Sequence, residues 1–347
     1  MKVKVLILII TFLSGCLIMN SKLEKTVITH ELELIHPGDS EANQIPIELI
    51  QKTDEDGNPI EYYTWVDSVI CKDETCDVVK VKLIWNAIGQ YQRFELKKGS
   101  KLTKLDHVPF NAEDHAKLQR ILLDKNSPLS EATKEAMTTN KSKAAEDGIA
   151  GATLLTLSTN VVVGAGYTCY DLWHWANGEL VDIIKDISAK SMTKNKLLEN
   201  LNSSDPELLK FTFLALKSQK YINSKIKDKM LICLKTGDKS IIGAAYDYLE
   251  SVENEANFKS TLIKIFAIVN NEKRVYISTK LNASKINDKQ FYGKLSDVLP
   301  AMKTHYEVQL FLKMIDAKKL WNKTIINNTL KLLNHPRKLA SFVSQQA

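Results

Sequence analysis

The chain has 347 residues, 44% of them hydrophobic and 25% charged, and a formal net charge of +6. That length suffices for about two domains, each able to bury a core of its own. The basic excess is interspersed with acidic residues and forms no dense Lys/Arg tract, which argues against a nucleic-acid footprint.

In chain order, the first feature is a charged head (Lys2, Lys4), an apolar run from Val5 to Leu13 broken only by Thr11, and a small-residue exit, Ser14-Gly15-Cys16. The run is about half of the roughly 20 residues that a membrane-spanning helix needs, as in a cleaved secretory signal. Leu13-Ser14-Gly15-Cys16 resembles the lipobox of bacterial lipoproteins. The resemblance implies cleavage after residue 15, acylation of Cys16 and a chain tethered to a membrane in the cell envelope. Leu17, standing where aspartate signals inner-membrane retention in enteric bacteria, favours the outer membrane, with the protein facing the periplasm or the cell surface. Residues 16–26 are expected to form the lipid-anchored linker.

Residues 27–190 are expected to form an α+β domain. From Val27 to Leu96 the chain is rich in Val, Ile, Tyr and Trp, with the turn Asp56-Gly57-Asn58-Pro59. Val78–Trp85 and Gln90–Leu96 flank Asn86-Ala87-Ile88-Gly89 and predict a hairpin. In an oxidising compartment Cys71 and Cys76 can close a small disulfide. A zinc site would need two further ligands, and no second Cys or His pair accompanies them, so no metal is expected. After Pro109, Asn111 and Asp114 predict a capped helix with the apolar stripe Leu118, Ile121, Leu122, one helix packing on the sheet. Residues 124–146 predict a long polar connection containing a short helix, and Cys169 and Cys233 predict buried thiols.

The segment Asp147-Gly148-Ile149-Ala150-Gly151-Ala152-Thr153 is dominated by small residues. It resembles the flavinylation motif of FMN-binding domains in Rnf-type and sodium-translocating NADH:quinone reductase subunits, Asp-Gly-x-Ser/Thr-Gly-Ala-Thr, departing from it only at Ala150. The resemblance implies FMN joined through its phosphate to the Thr153 hydroxyl by a flavin transferase, with Asp147, Gly148, Gly151 and Ala152 forming the cofactor turn. Glycines allow close backbone approach to a phosphate, and a helix beginning near Ala152 would favour the anion. A turn leading into a buried helix is the alternative reading. Tyr167, Tyr170 and His174 follow closely and are expected to line such a site; a histidine among aromatics such as Trp173 and Trp175 otherwise reads as a packed core group. Asp106-His107 lacks a neighbouring nucleophile or ligand at a telling interval, and Gly-x-Ser-x-Gly, His-Glu-x-x-His and Walker patterns are missing.

Residues 191–347 are expected to be all helical: stripes at Leu208, Leu209, Phe211, Phe213, Leu216, then Ile226, Met230, Cys233, Leu234, then Ile242, Ala245, Tyr246, Leu249 follow one another with short polar breaks. Asp205-Pro206 and Asp238 open comparable helices 33 residues apart, the spacing of a two-helix, HEAT-like repeat, whose register is lost beyond about residue 255. A non-repetitive helical bundle is the alternative. The functional expectation is a lipid-anchored electron carrier with covalent FMN and an envelope redox partner, rather than an enzyme with its own substrate. Its rival is a cofactor-free scaffold that docks an envelope protein through the helical array. A weaker third reading is a carbohydrate-binding surface lipoprotein.

Overall fold

Alternation along the first strands decides which face of the sheet is buried. In the computed structural model, which describes residues 26–37, 39, 42–69, 78–133 and 160–334, five antiparallel strands form a meander in the order β1-β2-β3-β4-β5. They are β1 (Val27–Ile35), β2 (Gln44–Thr53), β3 (Pro59–Asp67), β4 (Lys80–Asn86) and β5 (Tyr91–Leu96). Leu32, Leu34, Ile47, Leu49, Tyr62, Val66, Val81, Leu83 and Trp85 are buried on one face. The opposite face carries Lys52, Glu61, Lys82, Arg93 and Glu95 in ion pairs, with the Lys82 ammonium 4.3 Å from the centre of the Tyr63 ring.

Between β2 and β3, Asp54 Oδ1 accepts from the amides of Asp56 and Asn58 at 3.0 and 2.8 Å. The β4–β5 hairpin turns where the sequence places it: Asn86 Oδ1 accepts from the amides of Ile88 and Gln90 at 3.1 and 3.0 Å. Gly89 closes this turn at φ +76°, and a Cβ there would stand 3.0 Å from the Val181 carbonyl, so the position is doubly suited to glycine.

Three helices pack on the sheet, two more than the sequence predicts. Helix α1 (Ala112–Leu123) opens with the expected capping box: Asn111 Oδ1 accepts from the Asp114 amide at 2.9 Å, and Asp114 Oδ2 accepts from the Asn111 amide at 3.0 Å. Its stripe Leu118, Ile121, Leu122 is buried. The additional helices are α2 (Gly166–Asn177) and α3 (Glu179–Ser191). Trp85 Nε1 donates to the Ala176 carbonyl at 2.8 Å, and Ser188 Oγ donates to the Tyr62 hydroxyl at 2.8 Å. The amide and hydroxyl of Thr193 both donate to Asn58 Oδ1, at 2.9 and 2.8 Å. Between α1 and α2 the described connection contains a single 3-10 turn, Pro128–Ser130.

The chain divides into two compact units at Thr193/Lys194, giving an α+β unit followed by an all-helical one. The second comprises α4 (Lys194–Asn200), α5 (Pro206–Ser218), α6 (Ser224–Thr236), α7 (Ile242–Val252), α8 (Glu255–Ile268), α9 (Asn271–Ala283), α10 (Lys289–Ser296), α11 (His305–Ala317) and α12 (Lys323–Leu330). Alternate helices stack: α5, α7, α9 and α11 form one row, and α6, α8, α10 and α12 form the other. Cap positions carry the repeat. Asp205, Asp238, Asn270 and Thr304 open the segments of the first row at intervals of 33, 32 and 34 residues. Asn223, Asn254, Asp288 and Asn322 open those of the second row at intervals of 31, 34 and 34. The register that fades near residue 255 in the sequence therefore continues to the last described helix.

Candidate functional site

Chemistry was expected around the segment leading into α2. Cys16, the Cys71/Cys76 pair, and Asp147, Gly148, Gly151, Ala152 and Thr153 all lie outside the described residues. The chain is described again from Asn160, and Gly164 (φ +78°) is held by the Leu105 amide, which donates to its carbonyl at 2.8 Å. Asp106 and His107 both adopt positive φ, 59° and 58°, in an exposed turn beside that contact.

On α2 the side chains act as ties. Trp173 Nε1 donates to the Asp124 carbonyl at 2.8 Å, and Asn177 Nδ2 donates to the Leu122 carbonyl at 3.0 Å. His174 Nε2 lies 3.0 Å from the Leu129 carbonyl; since a carbonyl only accepts, the ring hydrogen sits on Nε2. Burial drives the imidazole below its ordinary value of 6.5, against the opposing pull of that hydrogen bond, so the ring is neutral near pH 7. Its centre is 4.4 Å from the Tyr170 ring and 4.9 Å from Trp173 in an edge-on contact. Tyr167 and Tyr170 are half-buried. Of the three residues expected to line a flavin site, Tyr170 and His174 thus meet, and His174 has one nitrogen committed to the turn below it. Cys169 is fully buried, its sulfur accepts from the Val162 amide at 3.3 Å, and burial pushes the thiol up to about 12, which leaves it protonated and unreactive.

Four buried charges in the helical unit were missed by pattern reading. Lys273 Nζ donates to the carbonyls of Leu234 and Gly237, both at 2.7 Å, at the end of α6. Arg274 pairs with Glu307, 33 residues on, and donates to the Val269 carbonyl at 2.6 Å. Lys227 pairs with Glu253, whose side chain is 1% exposed and also accepts from Thr261 Oγ1 at 3.2 Å. Cationic heads here satisfy carbonyls that helix ends leave without partners, where the helix dipole also favours positive charge. The signal that would have found the Arg274–Glu307 pair is the repeat spacing itself.

An open depression of about 470 Å³ lies along the first row, lined by Lys239, Asn271, Glu272, Val275, Thr304 and Tyr306. Lys239 and Glu272 bridge it at 3.4 Å, and Tyr306 is 61% exposed. Its lining offers a hydroxylated ring, amide and hydroxyl groups and one ion pair.

No protein-family model, curated protein or solved structure matches the chain. Among the described residues no helix is long and apolar enough to cross a membrane, and no group of three or more His, Cys, Asp or Glu side chains is arranged to hold a metal ion.

Proposed function

We propose that the chain is an envelope lipoprotein, tethered through an acylated Cys16, whose helical repeats form a scaffold for docking another envelope protein. The observation that carries this reading is the stacking of α5 to α12 in two rows. Helix pairs that pack mainly on their neighbours leave continuous rows of side chains facing solvent, which is how repeat arrays present binding surfaces. Tyr306 in the first-row depression is the anchor, an exposed aromatic ring of the kind that dominates interface energetics. The test is site-specific photocrosslinking of the full chain in its own envelope. A crosslinker replacing Tyr306 is expected to give a discrete adduct that one replacing Asp182 on α3 does not. The scaffold reading fails if neither Tyr306 nor any exposed position on either row gives an adduct. Replacing Cys16 by Ser is expected to abolish lipid attachment; retention of the acyl mass would remove the anchor assignment.

The motif from Asp147 to Thr153 supports a second reading, an electron carrier with FMN esterified to Thr153. Bound flavin would supply one- or two-electron chemistry. On this reading Asp147, Gly148, Gly151 and Ala152 shape the phosphate turn, while Tyr167, Tyr170 and His174 line the ring. An intact-mass and absorption measurement on the full chain, co-produced with an active flavin transferase, decides it. An FMN-sized increment that disappears in Thr153→Val supports the carrier. A colourless, unmodified protein leaves the scaffold alone.

A further inference from the structure

Charge is unequally divided between the two rows of helices. The first row, α5, α7, α9 and α11, carries six basic residues (Lys210, Lys217, Lys273, Arg274, Lys280, Lys313) and six acidic ones (Glu207, Asp247, Glu250, Glu272, Glu307, Asp316). The second row, α6, α8, α10 and α12, carries nine lysines against two carboxylates, Asp228 and Glu255. Three of the nine are engaged: Lys227 with Glu253, Lys229 with the Asn202 side chain at 2.5 Å, and Lys259 with Asp288 and Glu255 at 2.7 and 3.1 Å. The other six, Lys225, Lys235, Lys264, Lys289, Lys294 and Lys323, are exposed, and none has a carboxylate partner among the described residues.

On α6 the exposed positions Lys225, Asp228, Ile232 and Lys235 follow one another at intervals of three or four residues, as do Lys264 and Ile268 on α8 and Lys323, Ile326 and Leu330 on α12. Aliphatic side chains share that face. Ile232 is 65% exposed, and Ile268, Ile326 and Leu330 also project from this row. Unneutralised ammonium groups set between exposed aliphatic side chains match the boundary of an anionic bilayer, where lysines meet phosphates and aliphatic groups enter the acyl edge. No exposed aromatic ring stands among them to stack on nucleic-acid bases.

We infer that the second row is a membrane-facing surface that recognises anionic phospholipid headgroups. It adds a contact to the anchored state proposed above without depending on acylation, because the lysines and aliphatic groups belong to the folded unit.

The test measures partition of the full chain into vesicles of zwitterionic phosphatidylcholine, alone or with 30 mol% phosphatidylglycerol, at low and high salt. An acyl chain or apolar N-terminus inserts into both, so the ratio between compositions isolates the charged face. Six lysines at roughly fivefold each set an upper limit, and a preference of at least about tenfold for anionic vesicles is expected at low salt, mostly lost in high salt. Changing the six lysines to Gln should abolish the preference, whereas Lys217→Gln with Lys313→Gln, on the other row, should not. Ile232→Ser with Ile326→Ser should weaken binding to anionic vesicles with the charges kept. Equal partition between compositions, or a preference that survives the six substitutions, overturns the proposal. So does binding of the chain to an acidic protein with no vesicle preference. If the chain taken from its own envelope carries no acyl mass on Cys16 yet prefers anionic vesicles, the anchor assignment falls and this surface stands.

Discussion

Removing Arg274 isolates the energetic role of the ionic ties between repeats. Arg274 is 5% exposed and Glu307 is 1% exposed, so each charge depends on the other and on local hydrogen bonds rather than on water. Arg274→Met deletes the pair with Glu307 and the bond to the Val269 carbonyl while keeping much of the aliphatic volume. It leaves a buried carboxylate supported by the Lys303 amide at 3.1 Å. Breaking one side of such a buried pair costs about 3–5 kcal/mol. For a unit of this size that corresponds to a drop in Tm of roughly 6–20 °C. The assay is urea and thermal unfolding of the full chain followed by helix signal, with Glu307→Leu and the double variant completing a cycle. The double variant should recover most of the loss, since two apolar groups need no partner. A loss below about 1 kcal/mol in the single variant would refute the reasoning, because such a value belongs to solvent-exposed pairs.

Asn111→Ala removes the acceptor for the Asp114 amide and should cost about 1 kcal/mol of stability in the α+β unit, read as a lower urea midpoint; Asn111→Ser should restore most of it. His174 makes a pH prediction. Its folded-state value lies below the ordinary 6.5, so the unfolded chain binds more protons, and the stability from the neutral ring is complete above 6.5 and lost as pH falls through the folded value. The urea midpoint should therefore decline on acidification below about 6.5 less steeply in His174→Gln than in the parent; parallel profiles would contradict the assignment. Trp85→Phe removes the donor to Ala176 and should destabilise by roughly 1–3 kcal/mol, the unmet buried carbonyl included, measured by chemical unfolding. In the native protein Cys169 should resist alkylation until urea unfolds the chain; reaction at the native rate of an exposed thiol would contradict its burial.

Local signals were legible wherever one chemical feature had one structural meaning. The Asn86–Gly89 turn, the Asn111/Asp114 box, the stripe Leu118, Ile121, Leu122 and the Asp205 and Asp238 openings all appear as the sequence indicates. Helices α2 and α3 were not resolved as partners of the sheet, because α2 buries polar Thr168 and Asp171 along with its aromatics and shows no clean apolar stripe. The repeat register fades from α8 onward, beyond about residue 255, and α9 shows a related reason. Its inward face reads Lys273, Arg274, Ile277, Ser278, Leu281, so two charges stand where a pattern search requires aliphatic residues. Only their destinations, the α6 and α8 carbonyls and Glu307, explain them. Of the candidate site, the meeting of Tyr170 with His174 follows from helical spacing, whereas the tie to Leu129 joins residues 45 positions apart and leaves no local trace.

The ties made by α2 end on main-chain oxygens, those of Leu122, Asp124 and Leu129. A peptide oxygen is supplied by any amino acid, so the receiving positions can change side chain without breaking the link, provided the backbone keeps its path. Trp173, His174 and Asn177 have no such latitude, since the donor is the side chain itself. Tolerance to substitution is accordingly lopsided across this contact: a randomised library should accept wide variety at exposed Asp124, only apolar exchange at Leu122 and Leu129, whose side chains are buried for packing, and little at the three donors. Lys273 also donates to backbone groups, but its receiving positions are fixed for other reasons: Leu234 is buried, and a Cβ at Gly237 would stand 2.6 Å from the Cys233 carbonyl.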